Sequence, residues 1–429
     1  QSRLFPLLAS AYAFRFVGEW LKWLYTDVTQ RLQAKDFSTL PEAHACTAGL
    51  KSLTTTATAD AIEECRKLCG GHGYLCASGL PELFAVYVPA CTYEGDNVVL
   101  LLQVARFLMK TVSQLDSGKK PVGTTAYLGR VQDLLHCCCD VQRAEDWLKP
   151  GVVLEAFEAR SARMCVACAK NLSKFENPED GFAELSADLV EAAVAHCQLI
   201  VVSKFIDKLQ QDIPGKGVKQ QLQNLCYIYV LNLVHKYLGD FLSTGCITPK
   251  QASLANDQLR SLYSQIRPNI IALVDAFNHT DHYLGSVLGR SDGNVYPKLY
   301  EEAWKDPLND SVVPDGYHEY KPEIEDEIEG EEKLVLEICV LRVAICLPPQ
   351  IVTQEKKRKK THGAAVGAVG AHGAAVGAHG AAAGAHGAAV TAVETAELTA
   401  AAAAESVEEE NPSTGAESEP AQLEEVQVG

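Results

Sequence analysis

Methionine is almost missing from this 429-residue chain: there are 2, and the first residue is Gln1. That absence leads us to expect a fragment or a processed chain. An excess of positive charge is also missing. Thirty-eight Lys and Arg against 55 Asp and Glu leave a net charge of -17 and a pI near 5.2, which argues against nucleic acid as the main partner. No secretory leader is visible, because the apolar opening QSRLFPLLASAYAFRFVGEWLKWLY is interrupted by Arg3, Arg15, Glu19 and Lys22. A confident membrane span is lacking as well. The candidate LVLEICVLRVAICL, Leu334 to Leu347, is too short and carries charge. No convincing series of alternating strands occurs, so the chain reads as all-α.

Cysteine, by contrast, is plentiful at 15. Cys137, Cys138 and Cys139 are consecutive, and neighbours on a helix cannot all bridge locally. Reduced thiols in an intracellular compartment are the expectation. Cys165 and Cys168 form a CxxC with no second pair at zinc spacing. Two packed thiols, and no metal, is the reading.

Helical periodicity runs from Leu4 to about Glu302. Helices are predicted over residues 4–27, 42–70 and 98–115, the last apolar nearly all round and therefore expected to be buried. Pro6 suits a first turn, and Gly70-Gly71 is a helix stop, after which GGHGYLCASGLPE reads as a loop. Ser117 to Gly123, SGKKPVG, has a linker's composition. Beyond it, helical segments are predicted at 125–170, 181–210, 216–242 and 248–276. Two consecutive helical bundles follow from this pattern, at 1–116 and 124–320, with a tail at 321–429. The tail begins acidic, passes through KKRKK at Lys356 to Lys360, and continues in GAAVGAHG units to an Ala- and Glu-rich end. Its composition predicts disorder. His362, His372, His379 and His386 recur there without a fixed geometry and read as low-complexity drift rather than as metal ligands.

Three motifs lie close together: CGGHGY (Cys69 to Tyr74), SGLP (Ser78 to Pro81) and CTYEGDN (Cys91 to Asn97). Glycines let backbone approach a ligand closely, and a helix start offers N–H groups to anions. A plain helix stop would use the same glycines. Glu94 is also compatible with a helix N-terminus that simply favours acidic residues. The apolar flanks FAVYVP and VVLLL would, around a carboxylate, raise its basicity. Tyr74 and Tyr93 could equally line a site or pack. His72 and His44 read as structural, Arg106 as the partner of a carboxylate, and Asp292-Gly293-Asn294 as a tight turn.

Taken together, LFPLLASAYAFRF, AGLKSLTT, ECRKLCGGHGY…SGLP…CTYEGDNVVLLLQVARFLMK and LGRSDGNVYPKLYEEA resemble the peroxisomal acyl-CoA oxidases of the acyl-CoA dehydrogenase superfamily. The resemblance covers about residues 1–320, the helical C-terminal region of that family, and is similar to its plant and green-algal long-chain members. It implies an FAD-dependent enzyme, a homodimer, and a role in peroxisomal fatty-acid β-oxidation. Fatty acyl-CoA and molecular oxygen would become trans-2-enoyl-CoA and hydrogen peroxide. Glu94 would be the catalytic base. Gly70, Gly71 and Gly73 would approach the flavin phosphates, those bound by a partner subunit, with Asp96 and Asn97 as further flavin contacts.

The departures from the family are large. Its N-terminal helical domain and β domain do not occur in this sequence, so the chain alone is expected to be inactive. It ends in QVG rather than an SKL-type import signal. Two alternatives stand beside an oxidase. One is an acyl-CoA dehydrogenase, against which the second bundle and YEGDN argue. The other is a non-catalytic helical dimerisation module.

Overall fold

The computed structural model describes residues 1–320, apart from 116, 312, 314 and 315; the expectations for 321–429 lie outside the described residues. Among the described residues there are helices and no strands. Two long helices open the chain, α1 (Phe5–Gln33) and α2 (Leu40–Leu68), each with a proline in its first turn, where the missing N–H is not needed. A short helix α3 (Leu80–Tyr87) follows two 3₁₀ turns, and α4 (Asn97–Leu115) ends the first stretch. Helix α3 begins where the sequence pattern suggests only a loop.

The segment predicted as one helix over 125–170 is broken. A 3₁₀ run at Gly123–Arg130 leads into α5 (Val131–His136), and a second at Ala144–Leu148 precedes α6 (Pro150–Leu172). The break has a local cause. Pro150 starts a helix instead of continuing one, and the Asp146 carboxylate accepts from the amides of Gln142 and Arg143 at 3.0 and 2.8 Å. There follow α7 (Pro178–Glu184), α8 (Ser186–Gln210), α9 (Lys216–Lys236), α10 (Leu238–Ser243) and α11 (Pro249–Ile266). The short helices α12 (Ile270–Asp275), α13 (Asp281–Leu284), α14 (Val295–Ala303) and α15 (Tyr317–Tyr320) come last.

Helix α8 is the centre. It packs on α1, α2, α4, α6 and α9, and from Leu189 to Leu209 it buries residues on nearly every side. Helix α1 shows the complementary pattern: Ala9, Ala13, Val17, Leu24 and Val28 form one buried stripe at helical spacing. The larger core joins side chains from α1 and α2 to those of α6, α8, α9 and α11, so both sides of the 117–123 segment contribute to it. A smaller core lies among α2, α4, α6 and α8 and contains Cys165, Cys168 and Cys197. Helix α4 is not buried all round as expected. Leu101, Val104, Ala105 and Leu108 face inward, whereas Val98 and Val99 are exposed. By length and composition α4 and α8 could each cross a bilayer, but α8 is mostly buried in the helical core.

Where the two cores meet, a polar group is buried. The Tyr127 hydroxyl lies 2.7 Å from Ser161 Oγ and 3.2 Å from His196 Nδ1, and His196 is 1% exposed. Burial opposes the imidazolium and lowers the His196 pKa from 6.5 to about 4. The folded protein therefore holds this ring neutral, while an unfolded chain takes up a proton below pH 6.5. Stability is lost as the pH falls from 6.5 to 4, by up to about 3 kcal/mol at 1.36 kcal/mol per pKa unit. Urea unfolding across that window checks it. His196→Gln is expected to flatten the slope, and an unchanged slope would assign the acid sensitivity to other groups.

The thirteen described cysteines are all unbridged. Burial pushes the Cys46 and Cys165 thiols up to about 12, and raises those of Cys197 and Cys226 as well. Cys69, Cys76 and Cys138 are exposed. Maleimide near neutral pH is expected to label these three on the native chain and to leave Cys46, Cys165, Cys197 and Cys226 unlabelled until the chain is denatured. Peptide mass spectrometry reads the result.

Candidate active site

The YEGDN stretch is a tight turn between the 3₁₀ helix Val88–Cys91 and α4. The amides of Thr92 and Tyr93 both donate to Pro89 O, at 2.8 and 3.0 Å, and close its entry. Two successive residues then take positive φ, Glu94 at 58° and Gly95 at 102°. At Gly95 a side chain would collide with Leu100, 2.8 Å from where a Cβ would stand. Glu94 has no such excuse. A glutamate in the left-handed region is strained by about 1–2 kcal/mol, and such strain clusters at functional positions.

The turn is held from below by the middle of α2. Lys51 Nζ donates to Gly95 O at 2.6 Å and to Asn97 Oδ1 at 2.9 Å. Ser52 Oγ donates to Asn97 O at 2.9 Å, and Asn97 Nδ2 donates to Thr55 Oγ1 and Thr56 Oγ1 at 2.9 and 2.8 Å. Asn97 is buried, with its amide spent on these partners. Asp96 caps α4: its Oδ1 accepts from the amides of Val98 and Val99 at 2.9 and 3.2 Å, the usual way to satisfy a helix start. Both residues, expected as flavin contacts, are thus engaged inside the turn.

Glu94 itself is exposed. Its expected apolar flanks are present but do not enclose it. Val86, Val88, Tyr93, Val98 and Val99, on either side of it in the chain, are each between 38% and 69% exposed. One cleft of about 260 Å³ lies nearby between α4 and α7, lined by Val99, Leu102, Arg106, Glu179 and Phe182; Glu94 is not among its lining residues. Arg106 does pair with a carboxylate, that of Glu179, through two contacts of 3.2 Å, and lies over the Phe182 ring.

The glycine motif follows the C-terminal end of α2, in the 3₁₀ turn Gly70–Tyr74. Gly70 and Gly71 are exposed, with nothing within 4 Å of where a Cβ would stand, so their backbone is open to a ligand. Gly73 differs. It is buried against the Arg66 carbonyl, and any side chain there would strike that backbone. The Glu94 turn is anchored beside Lys51 to Thr56, and the glycines begin at Gly70. At 1.5 Å per helical residue the two lie roughly 20–30 Å apart along α2. They cannot meet on one atom, but they can contact separate parts of an extended ligand, or two ligands. Sequence reasoning gave no role to Lys51, Ser52, Thr55 and Thr56. Their one signal is a run of hydroxyl and amine side chains, KSLTTT, in the middle of the helix.

The family model described as acyl-CoA oxidase, C-alpha1 domain, matches residues 1–109, and the one described as acyl-CoA oxidase matches residues 149–325. The chain belongs to the acyl-CoA oxidase family. It is 82% identical over 329 residues to peroxisomal acyl-coenzyme A oxidase 1 of Arabidopsis thaliana, covering 76% of this chain and 50% of that protein. Identity to the Rattus norvegicus peroxisomal acyl-coenzyme A oxidase 1 is 44% over 340 residues, again 76% and 50%. The solved structure of Arabidopsis thaliana acyl-CoA oxidase 1 superimposes with a TM-score of 0.74 at 84% identity, over 75% of this chain and 49% of that one. A Caenorhabditis elegans acyl-CoA oxidase-1, complexed with FAD and ATP, gives 0.69 at 32% identity, over 75% and 49%. The chain therefore spans about half the length of the curated relatives it matches.

Proposed function

We propose that this chain carries the catalytic-base half of a peroxisomal, FAD-dependent acyl-CoA oxidase of fatty-acid β-oxidation. The observation that carries the reading is Glu94. The chain holds a carboxylate in a strained left-handed turn, fixes the backbone on both sides of it, and leaves its side chain exposed. That is an arrangement for presenting a base. Gly70 and Gly71 fit a phosphate-bearing cofactor, since their backbone is uncovered, with Lys67 and His72 exposed beside them. FAD, when bound, supplies the acceptor for a hydride and passes the electron pair to oxygen, which leaves as hydrogen peroxide.

Glu94 takes the proton from the carbon next to the thioester as the β-carbon loses its hydride, so the acyl chain leaves as the trans-2-enoyl-CoA. A proton on such a carbon is only weakly acidic, so the base must stand at hydrogen-bond reach before the bond breaks. The apolar surface of Val86, Val88, Val98 and Val99 becomes the dry wall of the site once it is covered. Covering it would fall to the further domains of a complete oxidase and to the second subunit of a homodimer. By itself the chain offers the carboxylate without an enclosed cleft, so we expect no turnover from it alone. Joining the chain to the part of Arabidopsis acyl-CoA oxidase 1 outside the matched region supplies the test. Peroxide formation from palmitoyl-CoA is expected. A flavin-loaded hybrid that consumes acyl-CoA but needs an added electron carrier would overturn the oxidase reading in favour of a dehydrogenase.

A further inference from the structure

We infer that Lys51 is a positioning residue for Glu94: its ammonium pins the Gly95 carbonyl and so holds the strained turn that aims the carboxylate. This inference rests on Glu94 as the base. Three observations carry it. Lys51 Nζ reaches Gly95 O at 2.6 Å, the carbonyl of the residue directly after the glutamate. The same ammonium bonds Asn97 Oδ1 at 2.9 Å, and the Asn97 amide is itself anchored to Thr55 and Thr56. Both residues between the clamp and the preceding 3₁₀ helix that carry positive φ, Glu94 and Gly95, lie under this contact.

The physics favours a lysine. A left-handed glutamate relaxes toward the ordinary β or α regions unless its surroundings over-determine it. The neutral Ser52–Asn97 bond fixes the far side of the turn, at the helix start. Only Lys51 reaches the carbonyl between the helix start and Glu94, among the contacts described for this turn. A charged donor to a carbonyl is shorter and stronger than a neutral one. It also reaches across from α2, which is itself packed on α1, α4 and α8 and does not move easily. The backbone of the base is thereby referred to the rigid helical core and not to its own loop.

The test uses Lys51→Met, which keeps the stem and removes the donors, and Lys51→Arg, which keeps a cation. Hydrogen exchange on the full chain is the first readout. In Lys51→Met the hydrogen-bonded amides that flank the turn, those of Thr92, Tyr93, Val98 and Val99, are expected to exchange about tenfold faster or more, with α1 and α9 unchanged. Equal exchange in that turn would overturn the inference, whatever the activity. The second readout is steady-state kinetics in the hybrid oxidase described above. Lys51→Met is expected to lose roughly 10- to 100-fold in kcat with KM little changed, and Lys51→Arg to recover most of it. If Glu94→Gln abolishes turnover while Lys51→Met keeps full kcat, the positioning role is wrong and the base stands. If Glu94→Gln is itself fully active, the base assignment fails first, and the positioning inference with it.

Discussion

Replacing Glu94 by glutamine is expected to lower kcat of a completed oxidase about 10³-fold while leaving the fold intact. The size follows from what a positioned general base contributes, on the order of 10² to 10⁴. Glutamine has nearly the same shape and can sit in the same turn, but it cannot accept the proton. The side chain is exposed in this chain, so the change in stability should stay within about 0.5 kcal/mol. Activity and stability are therefore separable at this position. Thermal melts of the chain and peroxide formation by the hybrid oxidase read the two independently. Glu94→Asp adds a geometric check: it keeps the charge, withdraws it by one methylene, and should fall between wild type and Glu94→Gln. Wild-type turnover in Glu94→Gln would mean that the strained turn serves something other than proton removal.

The second large effect lies outside the site, in α6. Arg160 is 1% exposed. Its guanidinium donates to Asp240 Oδ2 at 2.5 Å and to Gln198 Oε1 at 2.7 Å, and lies over the rings of Tyr237 and Phe241. Burial lowers its pKa despite the opposing pull of Asp240, yet an arginine stays charged under any ordinary condition. Asp240→Ala would therefore strand a buried cation. Loss of one partner of such a pair costs about 4 kcal/mol. Arg160→Met removes the charge with the hydrogen bonds and fills much of the space, so it should cost less. The double variant should cost less than the sum of the two. Denaturant unfolding of the three variants decides the matter. If Arg160→Met proves worse than Asp240→Ala, packing around the side chain matters more than the stranded charge.

How much of this is legible in the sequence depends on the element. Where apolar residues recur at helical spacing between clear stops, as in α1, α2 and α11, the expected helices and the observed ones agree to within a few residues, except at the C-terminal ends of α1 and α11. Helix α3 escapes such a reading because Pro81 and the glycines before it look like punctuation, although a proline in a first turn starts a helix. The long helix expected over 125–170 fails because the pattern gives no sign that Asp146 folds back on the amides before it. The expected burial of α4 fails for another reason. Apolarity measures what a face could bury, and two of the residues on this helix, Val98 and Val99, stay more than half exposed.

At the site, the residue types and their order are enough to single out Glu94 and the three glycines and to suggest the family. The division of labour among them is not visible there. Gly73 is required by the Arg66 carbonyl beside it, and Asp96 and Asn97 hold the turn from within.

The sequence by itself determined the all-α class, because helical periodicity is a local property carried by each segment. It also determined which carboxylate and which glycines stand out as candidates, because motifs are read in order along the chain. Only the tertiary structure decided that α2 carries both the clamp of the Glu94 turn and, roughly 20–30 Å further along, the glycine turn. That pairing joins Lys51 to Gly95 across 44 positions of sequence, and contacts of that kind arise from packing, which no local pattern encodes.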